Sequence, residues 1–185
     1  MVEFYGGIAD MNLEAALKLI RDIPDYPKPG ILFKDITPLL ADGPAFTCVV
    51  DAFSAEIKNS QIVAGIEARG FIFASAIAAK MGLGFVPFRK SGKLPYRTFG
   101  AKYGLEYGED EIEVHVDSFS YGNKVTIIDD VLATGGTISA AIELALRAGA
   151  EIETVLVLFE ISGLGGRELI AQKFPQIEIQ SLVKS

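Results

Sequence analysis

One short segment of the chain, residues 125–137, combines residue types that can hold a phosphorylated ligand. It reads VTIIDDVLATGGT, so a mainly apolar run ends in two adjacent carboxylates, Asp129 and Asp130, and small residues follow. Small residues let the backbone bend closely enough for several N–H groups to point at one anion, and a helix N-terminus behind them adds further donors. Thr134 and Thr137 contribute hydroxyl groups. The segment therefore predicts a phosphate-binding loop.

The two carboxylates must serve another part of the ligand, because they would repel a phosphate. Carboxylate oxygens accept hydrogen bonds from neighbouring sugar hydroxyls, or orient the water shell of a Mg²⁺ ion. A phosphorylated sugar would satisfy both the loop and the carboxylates. The alternative is an ordinary strand-turn-helix junction whose aspartates cap the helix. It is disfavoured because adjacent carboxylates behind an apolar strand repel each other and are costly without a ligand.

Other phosphate-binding motifs fit the sequence poorly. The chain has no G-x-x-x-x-G-K-S/T pattern, which excludes a P-loop nucleotide hydrolase. Gly163, Gly165 and Gly166 follow an apolar run, as in a dinucleotide-binding fingerprint, but the third glycine is absent at the required spacing and Arg167 lies beside its place.

The elements that must position the loop alternate between strands and helices. From residue 61 onward, short continuous apolar runs alternate with segments of helical periodicity. Continuous apolar strands are typical of a parallel sheet covered by helices, so we predict an α/β fold with a mainly parallel sheet. Such sheets bind ligands beyond the carboxyl ends of their strands, where the loop lies. Predicted strands span residues 61–66, 85–88, 124–130, 154–159 and 177–183, and predicted helices span 70–81 and 137–148.

The rest of the chain contains two earlier helices and one long polar segment. Apolar residues at helical spacing predict a helix over 13–20, and Asp42 followed by Pro44 is typical of the start of a second helix. Residues 89–110 are too polar for a core, and we predict a long mobile loop that serves as an active-site lid. Residues 111–117 then alternate, which places the single histidine, His115, on the outward face.

Bulk composition limits the classes of function. A chain of 185 residues, half of them hydrophobic, fits one domain spanning residues 1–185. Its net charge of -7 argues against nucleic-acid or membrane-surface binding, which both need a positive field. The single cysteine, Cys48, cannot form an internal disulfide, and its apolar surroundings indicate packing rather than nucleophilic chemistry. We therefore expect a soluble cytoplasmic protein without a transmembrane segment.

Several motifs together resemble one known family. The phosphate-binding segment is similar to the phosphoribosyl pyrophosphate signature of type I phosphoribosyltransferases, and the likeness to their adenine-specific branch extends over nearly the whole chain. The matching motifs are PGILFKDITP at residues 29–38, EARGF at 67–71, RK at 89–90 with GKLP at 92–95, and LEYG at 105–108. Four motifs in the same order make chance similarity improbable.

The resemblance implies which residues bind phosphoribosyl pyrophosphate. It assigns the 5-phosphate to the loop of Ala133, Thr134, Gly135, Gly136 and Thr137, and the ribose hydroxyls to Asp129 and Asp130. It assigns the pyrophosphate to Arg69, Arg89, Lys90 and Lys93, with the peptide between Glu67 and Ala68 in the cis form. The four cations form a cluster in an otherwise acidic chain. The lysines alone are equally consistent with a solvated surface, whereas Arg69 follows a buried strand, where an unpaired guanidinium is costly.

The resemblance also implies the base site and the overall reaction. Phe33 and Ile161 match residues that sandwich the purine ring, and backbone groups at Leu32 and Lys34 match those that contact its edge. Lys34 stands where many relatives carry arginine, so a contact that needs a guanidinium is not carried over to this chain. Glu106 matches a glutamate placed near N7 or N9 of adenine. From the sequence alone, Phe33 and Ile161 are better explained as core residues and Glu106 as a solvated loop residue, and only the resemblance reverses this.

Fold, partners and activity follow from the same resemblance. It implies a type I phosphoribosyltransferase fold with a small hood, built from residues 1–40 and 161–185, over the base. It implies transfer of the phosphoribosyl group to adenine with Mg²⁺, giving AMP and pyrophosphate, in a homodimer. Two alternatives remain: a transferase for hypoxanthine, guanine, xanthine or orotate, and a regulator that binds phosphoribosyl pyrophosphate and DNA. The second needs a basic DNA-reading module, for which this acidic chain has no spare length.

Overall fold

The structure, a computed structural model, describes residues 11–105 and 108–184. Contacts between residues divide the chain into two compact units, of which the first ends at Ala55 and the second begins at Glu56. The single domain with a small hood from about residues 1–40 and 161–185 stays a prediction. Helices in the described part of the chain are too short or too polar to cross a bilayer.

The first unit consists of short helices and a two-stranded ribbon. Asn12 caps α1 by accepting a hydrogen bond from the Ala15 N–H, at 2.9 Å. Asp42 accepts one from the Ala45 N–H at the start of α3, also at 2.9 Å, which confirms the predicted cap. In chain order the elements are α1 (Leu13–Leu17), β1 (Arg21–Pro24), β2 (Leu32–Asp35), α2 (Thr37–Ala41) and α3 (Gly43–Glu56), with β1 antiparallel to β2.

The second unit is an α/β sandwich around one sheet. In the described ranges its strands lie in the order β5-β6-β4-β3-β7-β8-β9, with β4, β3, β7, β8 and β9 parallel and the hairpin β5–β6 antiparallel at one edge. The mainly parallel sheet is thus confirmed. Its elements are β3 (Ile62–Ile66), α4 (Arg69–Met81), β4 (Gly84–Lys90), β5 (Thr98–Leu105), β6 (Gly108–His115), β7 (Lys124–Leu132), α5 (Gly136–Arg147), β8 (Glu151–Glu160), α6 (Gly166–Lys173) and β9 (Glu178–Lys184).

The core of the second unit explains why the central strands read as continuous apolar runs. Ile127 and Ile128 are consecutive in β7 and both are fully buried, so the strand is covered on both faces. Val155 and Leu156 repeat this in β8. Each such side chain contributes roughly 1.5–3 kcal/mol through burial. This rigid sheet fixes the strand ends from which the candidate site is built.

The prediction of a long loop over residues 89–110 is wrong in its secondary structure. β5 and β6 form a hairpin whose register runs from the Thr98–His115 pair to the Leu105–Gly108 pair. Ala101 and Tyr103 are buried, and Lys102 between them is exposed, which is the alternation of a half-buried strand. In the described part of this range, the turn-rich residues lie between β4 and β5. The predicted alternation is confirmed for Ile112 and Val114, which are buried, while Glu113 and His115 are half-buried and the His115 ring lies edge-on to Tyr96.

The second part of the predicted hood, residues 161–185, stays a prediction, and its described residues fall in the second unit. Residues 178–184 form β9, an outer strand of the large sheet, and Ile170 of α6 is buried in the core. Arg167 of α6 connects β8 and β9. Its guanidinium donates to both carboxylate oxygens of Glu160 at 2.7 and 2.6 Å and to the Ile179 carbonyl at 2.7 Å. The hydrogen bonds from Arg167 lower the pKa of Glu160 to about 2. Residues 166–184 therefore belong to the second unit.

Candidate active site

The phosphate-binding loop connects β7 to α5, as the sequence predicted. Gly135 has φ +81°, and a Cβ there would lie 2.7 Å from the carbonyl oxygen of Gly166. A Cβ on Gly136 would lie 3.0 Å from the carbonyl oxygen of Gly104. Both positions thus need glycine, for conformation or for close backbone approach. The loop borders a cavity of about 160 Å³, which is lined by Asp129, Val131, Ala133, Thr134, Gly135, Gly136, Thr137 and Ile138.

Asp129 and Asp130 are buried at the end of β7, with exposed fractions of 9% and 3%. The Asp130 N–H donates to Asp129 Oδ1 at 2.9 Å. Burial raises the pKa of Asp129, and the charge of Asp130 raises it further. Burial also raises the pKa of Asp130, although the Arg69 guanidinium opposes this. Keeping both carboxylates ionised therefore costs stability in the ligand-free protein, as expected for side chains that bind a ligand.

The two aspartates nevertheless have different neighbours. Asp129 lines the cavity beside the loop. Asp130 makes an ion pair with Arg69, with a distance of 2.8 Å between Nη2 and Oδ2. Gly70 lets the start of α4 approach β7 at Ile128 and Asp129, since a Cβ there would lie 2.7 Å from the Ile128 carbonyl and 3.1 Å from Asp129 Oδ1. Asp129 is thus open toward a ligand, and Asp130 connects the loop to the cationic side.

The cationic residues gather around Glu67, where β3 ends. Arg89 Nε donates to Glu67 Oε2 at 3.1 Å, and the Lys90 N–H donates to the same oxygen at 2.8 Å. Burial alone would raise the pKa of Glu67, but these hydrogen bonds outweigh it and the pKa lies below its ordinary range. Lys93 is exposed, and its carbonyl accepts a hydrogen bond from Arg89 at 3.4 Å. The peptide between Glu67 and Ala68 is cis, as the resemblance implies.

The carboxyl ends of β3, β4 and β7 therefore bring most of the predicted phosphoribosyl pyrophosphate residues together. β3 is the central strand of the three, with Ile66 paired to Phe88 of β4 and Gly65 paired to Ile128 of β7. The loop follows β7, which carries both carboxylates near its end, while Arg69 begins α4 and Arg89 lies at the end of β4. Ligands of parallel α/β sheets bind in this position.

The predicted adenine-binding residues fall in both units. Leu32, Phe33 and Lys34 lie in β2 of the first unit, where Leu32 is exposed and the Phe33 ring packs edge-on against Tyr26 with 5.2 Å between centroids. Lys34 Nζ forms an ion pair with Asp22 Oδ1 at 2.7 Å, across the ribbon. Ile161 follows β8 in the second unit, and its N–H donates to the Leu132 carbonyl at 2.9 Å. The sandwich of a purine between Phe33 and Ile161 stays a prediction.

Glu106, the predicted catalytic residue, lies outside the described residues. The strands on either side of it are described, and they include two site residues that the sequence reasoning missed. Tyr103 donates a hydrogen bond to Asp110 Oδ2 at 3.1 Å, and Lys90 Nζ lies 3.0 Å from the same oxygen. Burial raises the pKa of Tyr103 to about 12, with the charge of Asp110 adding to the effect. Recognising 98–115 as a hairpin would have placed Tyr103 opposite Asp110.

Comparison with known proteins agrees with this geometry. Residues 39–178 match the family model of the phosphoribosyl transferase domain. The adenine phosphoribosyltransferase of Acidothermus cellulolyticus is 53% identical over 167 residues, which cover 89% of this chain and 92% of that protein. That of Francisella tularensis subsp. novicida is 48% identical over 165 residues, with 87% and 94% covered.

Solved structures show the same relationship. The adenine phosphoribosyltransferase of Thermoanaerobacter pseudethanolicus has a TM-score of 0.87 at 44% identity, covering 94% of this chain and all of that one (100%). That of Giardia lamblia, complexed with 9-deazaadenine, has a TM-score of 0.87 at 39% identity, with 95% and 98% covered. The chain therefore belongs to the phosphoribosyltransferase family, whose type I fold it has. Within that family it belongs with the adenine phosphoribosyltransferases.

Proposed function

We infer that the chain is a purine salvage enzyme that transfers the 5-phosphoribosyl group of phosphoribosyl pyrophosphate to adenine, giving AMP and pyrophosphate. One observation carries the inference: a glycine-bent loop, two buried carboxylates and a group of cations meet at adjacent strand ends in a chain 53% identical to an adenine phosphoribosyltransferase. A phosphorylated sugar carrying a second anionic group needs all three parts together.

Each part has a proposed role in holding phosphoribosyl pyrophosphate. The loop of residues 133–137 holds the 5-phosphate through backbone N–H groups and the hydroxyls of Thr134 and Thr137. Asp129 and Asp130 accept hydrogen bonds from the ribose hydroxyls. Arg69, Arg89, Lys90 and Lys93, with the backbone of Glu67 and Ala68, hold the pyrophosphate. The support for this division is physical: anions go to cations and N–H groups, and hydroxyls go to carboxylates.

The oxygen ligands of the site fit Mg²⁺ bound through substrate and water. Among the described residues no group of three or more His, Cys, Asp or Glu side chains could enclose a metal ion. Mg²⁺ is commonly held by one or two carboxylates together with substrate phosphates and waters, a requirement that Asp129 and Asp130 meet. When bound, the ion would supply partial neutralisation of the pyrophosphate charge.

The reaction asks the protein for positioning and charge stabilisation. The bond between ribose C1 and the pyrophosphate oxygen breaks, its electron pair leaves with pyrophosphate, and the ribose approaches an oxocarbenium-like state. Adenine N9 attacks C1 from the opposite face and loses its proton to a general base, and we propose that Glu106, near N7 or N9, takes this role. Fixed cations stabilise the leaving group without reorganising, which is the largest contribution expected of such a site.

The activity and its metal dependence can be measured together. With adenine, phosphoribosyl pyrophosphate and Mg²⁺, the protein should form AMP and pyrophosphate in equal amounts. Excess EDTA should abolish more than about nine-tenths of the rate, because the pyrophosphate charge is then unneutralised, and added Mg²⁺ should restore it. AMP formation that is insensitive to EDTA would contradict the metal assignment, and the absence of AMP with Mg²⁺ present would contradict the activity.

We propose a homodimer that forms through an apolar face on the second unit. Ile72 and Phe85 are 37% and 38% exposed, and Phe71 packs edge-on against Phe85 with centroids 5.9 Å apart. Exposed apolar clusters next to a functional site are typical of subunit interfaces. A copy of the same face would cover it in a twofold-symmetric pair.

We propose that the protein is located in the cytoplasm, because a single cysteine suits a reducing compartment.

Charge on this face should separate the subunits. Ile72→Lys should shift the sedimentation of the protein from dimer to monomer at micromolar concentration, because a buried ammonium without a partner is costly. Leu146→Lys is the matched control, since Leu146 is exposed to a similar extent, at 39%, but lies on α5. Equal sedimentation of all three proteins would show that the face is not the interface.

A further inference from the structure

Tyr103 connects the hairpin to the residues around the phosphate-binding loop. It is 8% exposed, and its hydroxyl donates to Asp110 Oδ2 across the β5–β6 pair at 3.1 Å. A side-chain hydrogen bond with Thr137 lowers the pKa of the Tyr103 phenol, against the larger effect of burial. A Cβ on Gly136 would lie 3.8 Å from Tyr103 Cβ and Cδ2, so this side chain packs directly against the loop.

Asp110 extends this connection to Lys90. Its Oδ2, which accepts from Tyr103, also lies 3.0 Å from Lys90 Nζ, and its Oδ1 accepts from the Glu111 N–H at 2.9 Å. Burial alone would raise the pKa of Asp110, but the hydrogen bonds from Lys90 and Glu111 outweigh it and the pKa is lowered. The carboxylate is therefore ionised at neutral pH, and both of its oxygens are occupied.

We propose that Tyr103 and Asp110 are positioning residues that fix Lys90 relative to the phosphate-binding loop. The connected groups run from Thr137 through Tyr103 and Asp110 to Lys90, that is, from the 5-phosphate side to the pyrophosphate side. The two anionic groups of one substrate thus meet binding groups whose separation is set before the substrate arrives. The inference rests on the proposed roles of Thr137 and Lys90 in the function given above.

The physical gain is preorganisation of a flexible cation. A lysine ammonium has three donors, so the contact with Asp110 leaves two for a ligand. Immobilising a lysine side chain on binding lowers affinity by a factor of several up to about ten, and a contact already present in the free protein removes that loss. Asp110 also reduces the attraction of Lys90 for an anion. Tyr103 and the Glu111 N–H share the carboxylate charge and weaken this competing effect.

Calorimetric titration with Mg²⁺-pyrophosphate and Mg²⁺-phosphoribosyl pyrophosphate tests the proposal. Asp110→Asn should weaken both ligands about tenfold, and Tyr103→Phe, which keeps the ring, should weaken them several-fold. The double variant should be no weaker than Asp110→Asn, because both changes break the same connection. In steady-state kinetics, the KM for phosphoribosyl pyrophosphate should rise while the KM for adenine stays unchanged. Lower stability alone would reduce kcat through the active fraction and would not move one KM selectively.

Two control variants separate the possible outcomes. Tyr121→Phe removes a hydroxyl from a tyrosine that is 97% exposed, and should change neither titration. Lys90→Met tests the pyrophosphate assignment itself and should weaken pyrophosphate at least as much as Asp110→Asn. If Lys90→Met has no effect, the assignment and the inference both fail, although AMP formation still stands. If Lys90→Met weakens binding but Asp110→Asn tightens it, or Tyr103→Phe leaves it unchanged, the inference alone is overturned.

Discussion

Replacing both buried aspartates, Asp129→Asn with Asp130→Asn, should weaken phosphoribosyl pyrophosphate at least about a hundredfold while the fold stays intact. Each carboxylate is proposed to accept a hydrogen bond from a ribose hydroxyl, and a hydrogen bond to a charged group contributes about 1.5–3 kcal/mol. Two of them correspond to a factor of a hundred or more. Calorimetry with Mg²⁺-phosphoribosyl pyrophosphate measures the effect, and circular dichroism checks the fold.

An exposed aspartate provides the control for this double variant. Asp117→Asn removes one carboxylate charge at an exposed position and should leave the affinity within about twofold of the wild type. Unchanged affinity in the double variant would remove the sugar-binding assignment. An equal loss with ribose-free Mg²⁺-pyrophosphate would show that the carboxylates act through the cations instead, which is the route open to Asp130 through Arg69.

The two substitutions should differ in their effect on the stability of the ligand-free protein. The sequence alone predicts a gain in stability from both, because the repulsion between the carboxylates disappears. The structure limits the gain to Asp129, since Asp130 is paired with Arg69 at 2.8 Å and loses that ion pair on substitution. Asp129→Asn should therefore raise the melting temperature at neutral pH by about 2–4 °C, the shift expected from roughly 1 kcal/mol. Asp130→Asn should not raise it.

The gain from Asp129→Asn should depend on pH in a defined direction. The pKa of Asp129 is raised by burial and by Asp130, so the folded protein binds this proton more tightly than the unfolded chain. The stability of the wild type must then fall as pH rises from roughly 4, the unfolded value, to the folded pKa. The advantage of Asp129→Asn should be full above that window and vanish below it. A constant advantage at every pH would contradict the proposed cause.

The central part of the fold could be predicted because its signals are local. Strands β3, β7 and β8 are continuous apolar runs, which only a sheet buried on both faces accommodates, and the two carboxylates mark where β7 ends. Gly135 has a positive φ, which favours glycine, so the glycines in the sequence already indicate where the loop bends. These parts required no knowledge of distant contacts.

The strand near the end of the chain was predicted at 177–183 and is present as β9, whereas the hairpin and the packing around Gly166 could not be predicted, because tertiary contacts determine them. Gly100, Lys102 and Gly104 made residues 98–105 read as a loop, yet Ala101 and Tyr103 alternate with them and are buried. The approach of Gly166 to the loop is also long-range: a Cβ there would overlap the Ala133 carbonyl oxygen. Pairings between Tyr103 and Asp110, or Arg69 and Asp130, appear only once the register and the sheet order are known.

Adenine should be used at least about a hundredfold more efficiently than hypoxanthine or guanine, as judged by kcat/KM. Adenine presents an N6 donor and an N1 acceptor, whereas the other two bases present an O6 acceptor and an N1 donor at the same places. Leu32 and Lys34 are alternate residues of β2, so their backbone groups point to the same side of the strand. A backbone pattern that matches adenine leaves two unpaired groups with the other bases, each costing about 1–3 kcal/mol.

The ring of Phe33 should contribute affinity without contributing to this choice, because all purines have similar faces. Phe33→Ala should raise the KM of each base by a similar factor and keep their order, while the KM for phosphoribosyl pyrophosphate stays unchanged. The side chain of Lys34 is held by Asp22 at 2.7 Å, so Lys34→Met should also keep the order if the backbone makes the choice. Parallel assays of AMP, IMP and GMP formation decide the question. Comparable rates with hypoxanthine would contradict the adenine assignment but not the phosphoribosyl transfer. A changed order of the bases in Lys34→Met would show that the lysine side chain, and not the backbone, selects the base.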